Sequence, residues 1–163
     1  MDPTPEIKIR RAVEADEQAI LACLAQAFAP YRKYYSSEAF LDTTLCPETL
    51  KYRMKNMLVL VAVNQNDGAI VGTVACNVVD PEEGHLRGMA VLADWQGAGI
   101  ARQLLQHAEA ELRLRKCSRV TLDTTEPLKR AIQFYERNGY RPSGKITDFY
   151  GMPLFEYEKN LAE

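Results

Sequence analysis

The chain has no long apolar run. Its longest apolar stretches fall far short of the ~20 residues that a membrane-crossing helix needs, so no membrane partner is expected. It also lacks an excess of either charge: 20 Lys and Arg stand against 22 Asp and Glu, a formal net charge of −2. Non-specific nucleic-acid binding needs a basic face to neutralise phosphates, so no nucleic-acid partner is expected. The one dense basic cluster, Arg113-Leu114-Arg115-Lys116, is expected at a solvated helix end, where cations favour the dipole. Cysteine is sparse. Cys23, Cys46, Cys76 and Cys117 are widely scattered, with no Cys-x-x-Cys pair and no Cys/His cluster. That pattern argues against a zinc site, and no metal is expected. The cysteines read as reduced thiols of a cytoplasmic protein, with Cys23 and Cys76 packed as small hydrophobes. Residues 1–5 carry no basic region and no apolar stretch, so no signal peptide is expected.

What is present is a chain of 163 residues, 47% of them hydrophobic. That suits one domain over residues 1–163 with a real core. Residues 6–13 alternate apolar and charged, as a half-buried strand does. Residues 15–28 read as an alanine- and leucine-rich helix with a stripe of Ile20, Leu21, Leu24, Ala27 and Phe28, stopped by Pro30. Residues 31–37 are expected as a loop, followed by helices around 37–45 and 47–54. Residues 58–63, 69–79 and 85–92 read as three antiparallel strands. The Asp67-Gly68 pair turns the first into the second, and residues 80–84 turn the second into the third. From residue 100 to 116 the period becomes helical, with a stripe of Ile100, Leu104, Leu105, Ala108 and Leu112. A short strand is expected over 119–123. Thr125 then serves as an N-cap, with Pro127 early in a helix that ends at Asn138-Gly139. Residues 141–157 hold two more strand-like pieces. The fold class is α/β (α+β): a mixed, mostly antiparallel, twisted sheet of about seven strands flanked by about four helices. The strand–helix–strand unit over 85–123 makes its parallel pair.

The most informative stretch is Gln96-Gly97-Ala98-Gly99-Ile100-Ala101, a glycine-bearing turn between a strand and a helix. Such a helix start carries about half a positive elementary charge and presents free N–H groups to an anion. It is neither a P-loop nor a dinucleotide fingerprint, because no Gly-Lys-Ser/Thr and no acidic ribose residue follow at the required offsets. About thirty residues on stands Ala131-Ile132-Gln133-Phe134-Tyr135-Glu136-Arg137-Asn138-Gly139-Tyr140. The first stretch resembles the acyl-CoA pyrophosphate loop of the GNAT superfamily of N-acetyltransferases, preceded by Leu86-Arg87-Gly88-Met89-Ala90-Val91-Leu92-Ala93-Asp94-Trp95 where the family has its fourth strand. The second resembles that family's Phe-Tyr-Glu helix end. The element order is similar to the GNAT fold over nearly the whole chain. Gln96 stands where Arg is commoner and Ala101 where Gly is commoner. Leu128 occupies a position where many members carry Asn, and Thr124 or Thr125 is the candidate replacement for that side chain's hydrogen bond.

The resemblance implies direct transfer of an acetyl group from acetyl-CoA, through a tetrahedral intermediate, to a primary amine of a small-molecule or amino-acid-like acceptor. It assigns the cofactor-binding residues as Met89, Ala90, Val91, Gln96, Gly97, Ala98, Gly99, Ile100, Ala101, Arg102, Thr124, Phe134 and Tyr135. Backbone N–H groups near Met89 to Val91 would hold the developing oxyanion, and Gly88 fits a bulge that splays the fourth strand from the fifth. Tyr135 is the candidate general acid toward the departing thiolate. Glu83 and His85 are candidate bases, because an amine is mostly protonated at neutral pH and an imidazole titrates near it. Glu83 reads equally well as a solvated residue of the Pro-Glu-Glu-Gly turn. Arg137 reads either as a phosphate contact or as the partner of a nearby acid. Tyr31, Tyr34, Tyr35 and Asp148 are the candidate substrate-binding residues, with a surface aromatic cluster or a homodimer contact as the other reading. Other functions remain open at this point: an acyl-CoA-binding sensor module with little catalysis, acetylation of protein N-terminal or lysine amines, a hydroxyl or thiol acceptor, and a nucleotide-binding protein.

Overall fold

The structure is a computed structural model that describes residues 6–161; residues 1–5, on which the leader was judged, lie outside it. The chain opens with strand β1, Ile7–Arg11, then a 3-10 turn over Glu14–Asp16 and helix α1, Glu17–Phe28. Of residues 31–37, expected as loop, the first four belong to a 3-10 segment over Ala29–Tyr34 with Pro30 in its first turn. Helices α2, Ser37–Thr44, and α3, Pro47–Asn56, follow. Ser36 caps α2 by accepting the Ala39 N–H.

The three expected antiparallel strands are β2, Leu58–Asn64, β3, Ala69–Asp80, and β4, Glu83–Val91. The turn into β4 is tighter than residues 80–84: Asp80 already pairs with Glu83. Helix α4 spans Ile100–Leu114, strand β5 Arg119–Thr124 and helix α5 Lys129–Arg137. Strands β6, Arg141–Phe149, and β7, Met152–Asn160, complete one sheet in the order β1-β2-β3-β4-β5-β7-β6. Every neighbouring pair is antiparallel except β4 and β5. Among the described residues there are thus seven strands and five α-helices, where about four helices were expected.

The start of α5 departs from the sequence reading. Its first residue is Lys129 and its N-cap position is Leu128, not Thr125. The Thr125 hydroxyl pairs with Tyr35 Oη at 2.6 Å, so a long-range bond occupies the group that would have capped the helix.

Two apolar clusters cover the two faces of the sheet. On one face α4 lays down Ile100, Leu104, Leu105, Ala108 and Leu112, all fully buried, against Val71, Val74, Leu86 and Leu122. On the other, α1 and α3 contribute Ile20, Cys23, Leu24, Phe28 and Leu50 against Val59, Val61 and Ile70. Cys23 and Cys76 are 1% exposed and unpaired; burial raises both thiols to about 11, and they pack as small apolar groups. No helix among the described residues is long and apolar enough to cross a membrane.

Candidate active site

Parallel pairing of β4 with β5 runs from Glu83 opposite Arg119 to Leu86 opposite Leu122, and there it stops. On its other side β4 carries an extra residue. Thr73 faces Ala90 and Ala75 faces Arg87, so two steps along β3 match three along β4. This bulge is centred on Gly88, whose φ of 62° disfavours an L side chain. Bulge and splay together open a cleft of about 480 Å³ between the ends of β4 and β5. Gly88, Met89, Ala90 and Val91 line one wall, Leu122, Asp123 and Thr124 the other. The Thr124 hydroxyl is buried there with no hydrogen-bond partner among the described residues. An unpaired buried hydroxyl facing an unpaired strand edge suits an amide-bearing arm laid between the strands.

The cleft continues to the start of α4. Gly97 and Gly99 take φ of 85° and 81°, which turns the chain from β4 into the helix. The N-cap Gly99 supplies no side-chain bond, and the first turn holds no acidic residue. The leading amides are therefore free for an anion. Gln96 holds the entrance by donating its side-chain amide to Val91 O at 3.1 Å. Arg102, Arg130 and Arg137 also line the cleft. Free amides and three guanidiniums fit a pyrophosphate. Of the residues from Gln96 to Arg102 expected to hold the cofactor, Ala98 alone does not line the cleft.

Beside the splay, one polar face of the β4–β5 ladder carries Glu83, His85 and Arg87 against Arg119, Thr121 and Asp123. His85 lines the cleft. Its Nδ1 is 2.7 Å from Thr121 Oγ1 and its Nε2 is 3.4 Å from Asp123 Oδ2. The sequence reading missed Asp123. Parallel pairing sets Thr121 opposite His85, and strand alternation then brings Asp123 to the same face. Glu83, the other candidate base, does not line the cleft. Its carboxylate accepts from Arg119 Nη1 and, at 3.5 Å, from the Thr121 hydroxyl that meets His85. Arg119 also holds Glu156 and Glu158. Glu83 is the first residue of β4, at the end away from the splay, and belongs to that ionic cluster.

Tyr135 lines the cleft and is 8% exposed. Phe134 and Tyr140 flank its ring at 5.4 and 5.8 Å, and its hydroxyl makes no hydrogen bond within the described residues. Burial pushes the phenol well above its ordinary range, so it stays protonated and keeps a proton to donate.

The cleft is also walled by Phe28, Tyr31, Tyr35 and Phe149, with Asp42, Arg53 and Arg87 among its charged groups. Of the candidate substrate-binding residues, Tyr31 and Tyr35 line it. Tyr34 does not line the cleft; it is 54% exposed beneath the Lys33 ammonium, which is 5.1 Å from its ring. Asp148 is also outside, and accepts the Gly151 N–H at 3.3 Å in the turn between β6 and β7. Alternation turns Phe149 inward in its place. Arg53 carried no local signal, because its side chain reaches Gly88 from α3, a helix packed against α1 and β2. No group of metal-ligating side chains occurs among the described residues.

A cleft of this form points to relatives, and they exist. Residues 22–140 match the model of the Acetyltransferase (GNAT) family. A mycothiol acetyltransferase of Beutenbergia cavernae is 31% identical over 140 residues, 86% of this chain and 46% of that protein. An N-alpha-acetyltransferase MAK3 of Arabidopsis thaliana is 29% identical over 93 residues, 54% of this chain and 49% of that protein. The chain thus spans about half the length of the curated relatives it matches. Among solved structures, PaiA N-acetyltransferase of Thermoplasma acidophilum in complex with coenzyme A superposes with a TM-score of 0.80 at 19% identity, over 95% of this chain and 99% of that one. The ribosomal-protein-S18-alanine N-acetyltransferase of Escherichia coli gives 0.77 at 20% identity, over 97% and 96%. At such identities the structures speak for the fold, while the family model and the closer sequence likeness speak for descent: the chain belongs to the GNAT family of acetyltransferases.

Proposed function

We propose that the protein transfers the acetyl group of acetyl-CoA to the primary amine of a small-molecule or amino-acid-like acceptor. The observation that carries the reading is a single cleft joining three features. These are the uncapped start of α4, the unpaired edge of β4 and the buried hydroxyl of Tyr135. The leading amides of α4 and Arg102 bind the phosphates, and Thr124 receives the arm between the strands. Bound there, acetyl-CoA supplies a thioester carbonyl. Backbone N–H groups of Met89 to Val91 are placed to hold its oxygen as charge develops.

His85 removes a proton from the incoming ammonium, and Asp123 stabilises the imidazolium that results. The amine nitrogen then bonds to the carbonyl carbon, the carbon–sulfur bond breaks, and Tyr135 donates its proton to the sulfur; the nitrogen's second proton leaves as the amide forms and restores the Tyr135 phenol through solvent, while His85 returns its own proton to solvent. His85→Gln tests the base. At pH 6.5 its kcat is expected to fall by about 10²–10⁴-fold. The deficit should narrow toward pH 9, because an α-amine titrating at about 7.7–8.0 becomes neutral without help. A deficit that stays constant across that range would assign His85 a structural role.

A further inference from the structure

The cleft holds one cation that the acetyl donor does not explain. Arg53, near the end of α3, lays its guanidinium against the bulge of β4. A Cβ built at Gly88 would stand 2.6 Å from Arg53 Nη1, so the glycine opens the space that the guanidinium fills. Arg53 lines the cleft, yet its guanidinium has no hydrogen bond or ion pair with any described residue. The nearest carboxylate, Asp42, is 3.8 Å from Arg87 Nη2 instead. Loss of solvent, and then the charge of Arg87, draw the Arg53 guanidinium down to about 10, with Asp42 opposing them. It remains cationic at neutral pH. Two guanidiniums thus share one carboxylate on this wall. A half-buried guanidinium with an unspent planar fork suits an oxyanion that it can grip with two parallel bonds.

We infer that Arg53 holds the carboxylate of a free α-amino acid, and that such an acid is the acetyl acceptor. This rests on the acetyltransferase reading above and narrows its substrate. In an α-amino acid the amine nitrogen is two bonds from the carboxyl carbon. A carboxylate beside Gly88 therefore leaves the amine next to Met89 and Ala90, the backbone placed to hold the thioester oxygen. A peptide N-terminus presents a neutral amide at the same place, whose single carbonyl oxygen leaves the charge of Arg53 uncompensated. The walls agree with a small acceptor. Tyr35 Oη meets Thr125 Oγ1 at 2.6 Å, and Ser36 Oγ donates to Tyr150 O at 3.1 Å. These two bonds tie the segment between α1 and α2 to the loop before α5 and to the turn between β6 and β7, which closes the acceptor end against a long chain.

The test compares the twenty L-amino acids with their α-carboxamides, following thiol release from acetyl-CoA in the wild type, Arg53→Met and Arg53→Lys. The free acids are expected to be the better wild-type substrates. Arg53→Met should raise KM for the best acid by roughly 10- to 100-fold, the worth of a hydrogen bond to a charged group. Its KM for the matching carboxamide should not rise, and its melting temperature should still increase with acetyl-CoA. Arg53→Lys keeps the charge without the fork and should fall between; it is the variant that counts if Arg53→Met does not fold. Carboxamides used as well as the acids, or KM values for acid and amide that rise together in the variants, would overturn the inference. So would thermal stabilisation by acetyl-CoA with no turnover of any free acid, an outcome that leaves the acetyltransferase reading standing. Absence of that stabilisation would remove both.

Discussion

Replacing Tyr135 by Phe is expected to lower kcat by about 10²–10⁴-fold, the usual worth of a positioned proton donor. The dissociation constant for acetyl-CoA should stay within about twofold, because the ring that lines the cleft is retained. Three observations set this expectation. The ring is fixed between Phe134 and Tyr140. The hydroxyl forms no bond within the described residues, so its loss leaves no protein group unsatisfied. Burial holds the phenol above its ordinary range, which keeps its proton in place until a strong acceptor forms beside it. Thermal stability should therefore be unchanged while turnover collapses. A variant with wild-type kcat at saturating substrates would show that the thiolate takes its proton from elsewhere.

Glu109→Ala should do the reverse, costing stability and little chemistry. Glu109 is 4% exposed on the inner face of α4. It accepts from Tyr140 Oη at 2.7 Å and from Lys159 Nζ at 3.0 and 3.2 Å. Lys159 also stands 5.6 Å from the centre of the Tyr140 ring. These contacts join α4, the link between α5 and β6, and β7. Truncating the carboxylate strands an ammonium and a phenol in an apolar setting, which costs about 3–5 kcal/mol, or roughly 6–20 °C of melting temperature for a domain of this size. Glu109→Gln retains an acceptor and should lose less. A melting temperature within about 2 °C of wild type for the alanine variant would mean that water satisfies both partners. The two tyrosines of one motif thus divide the work: Tyr135 faces the cleft with a free hydroxyl, and Tyr140 braces the scaffold.

The parts of this fold that were legible in the sequence are those set by local chemistry. The stripe of Ile100, Leu104, Leu105, Ala108 and Leu112 could only be a helix lying on a core, and all five are buried. Gly88 marked the bulge, and Asp67-Gly68 marked the hairpin between β2 and β3. What the sequence did not show depends on partners distant in the chain. Thr125 has every property of an N-cap, but Tyr35, ninety residues away, takes its hydroxyl. Glu83 read equally as a candidate base and as a solvated turn residue; in the fold Arg119 holds its carboxylate. Asp148, a candidate substrate-binding residue, gives its carboxylate to the Gly151 N–H of the turn that follows. Asp123 and Arg53 were not found at all. Asp123 needed the parallel register of β4 on β5, and Arg53 needed the placement of α3 over a glycine on another element. Motifs marked the turn into α4 and the cleft it opens onto; tertiary packing decides which side chains line that cleft.

The central claim is that the cleft between β4 and β5 receives acetyl-CoA, with its phosphates on the start of α4. Thermal unfolding of the wild-type protein with acetyl-CoA, CoA or ATP tests it most directly, because a ligand that binds only the native state must raise its stability. At about one hundred times the dissociation constant, acetyl-CoA and CoA should each contribute ~2.7 kcal/mol, a rise of roughly 5–10 °C, and ATP should contribute none. No rise at millimolar acetyl-CoA, or a rise with ATP alone, would contradict the account.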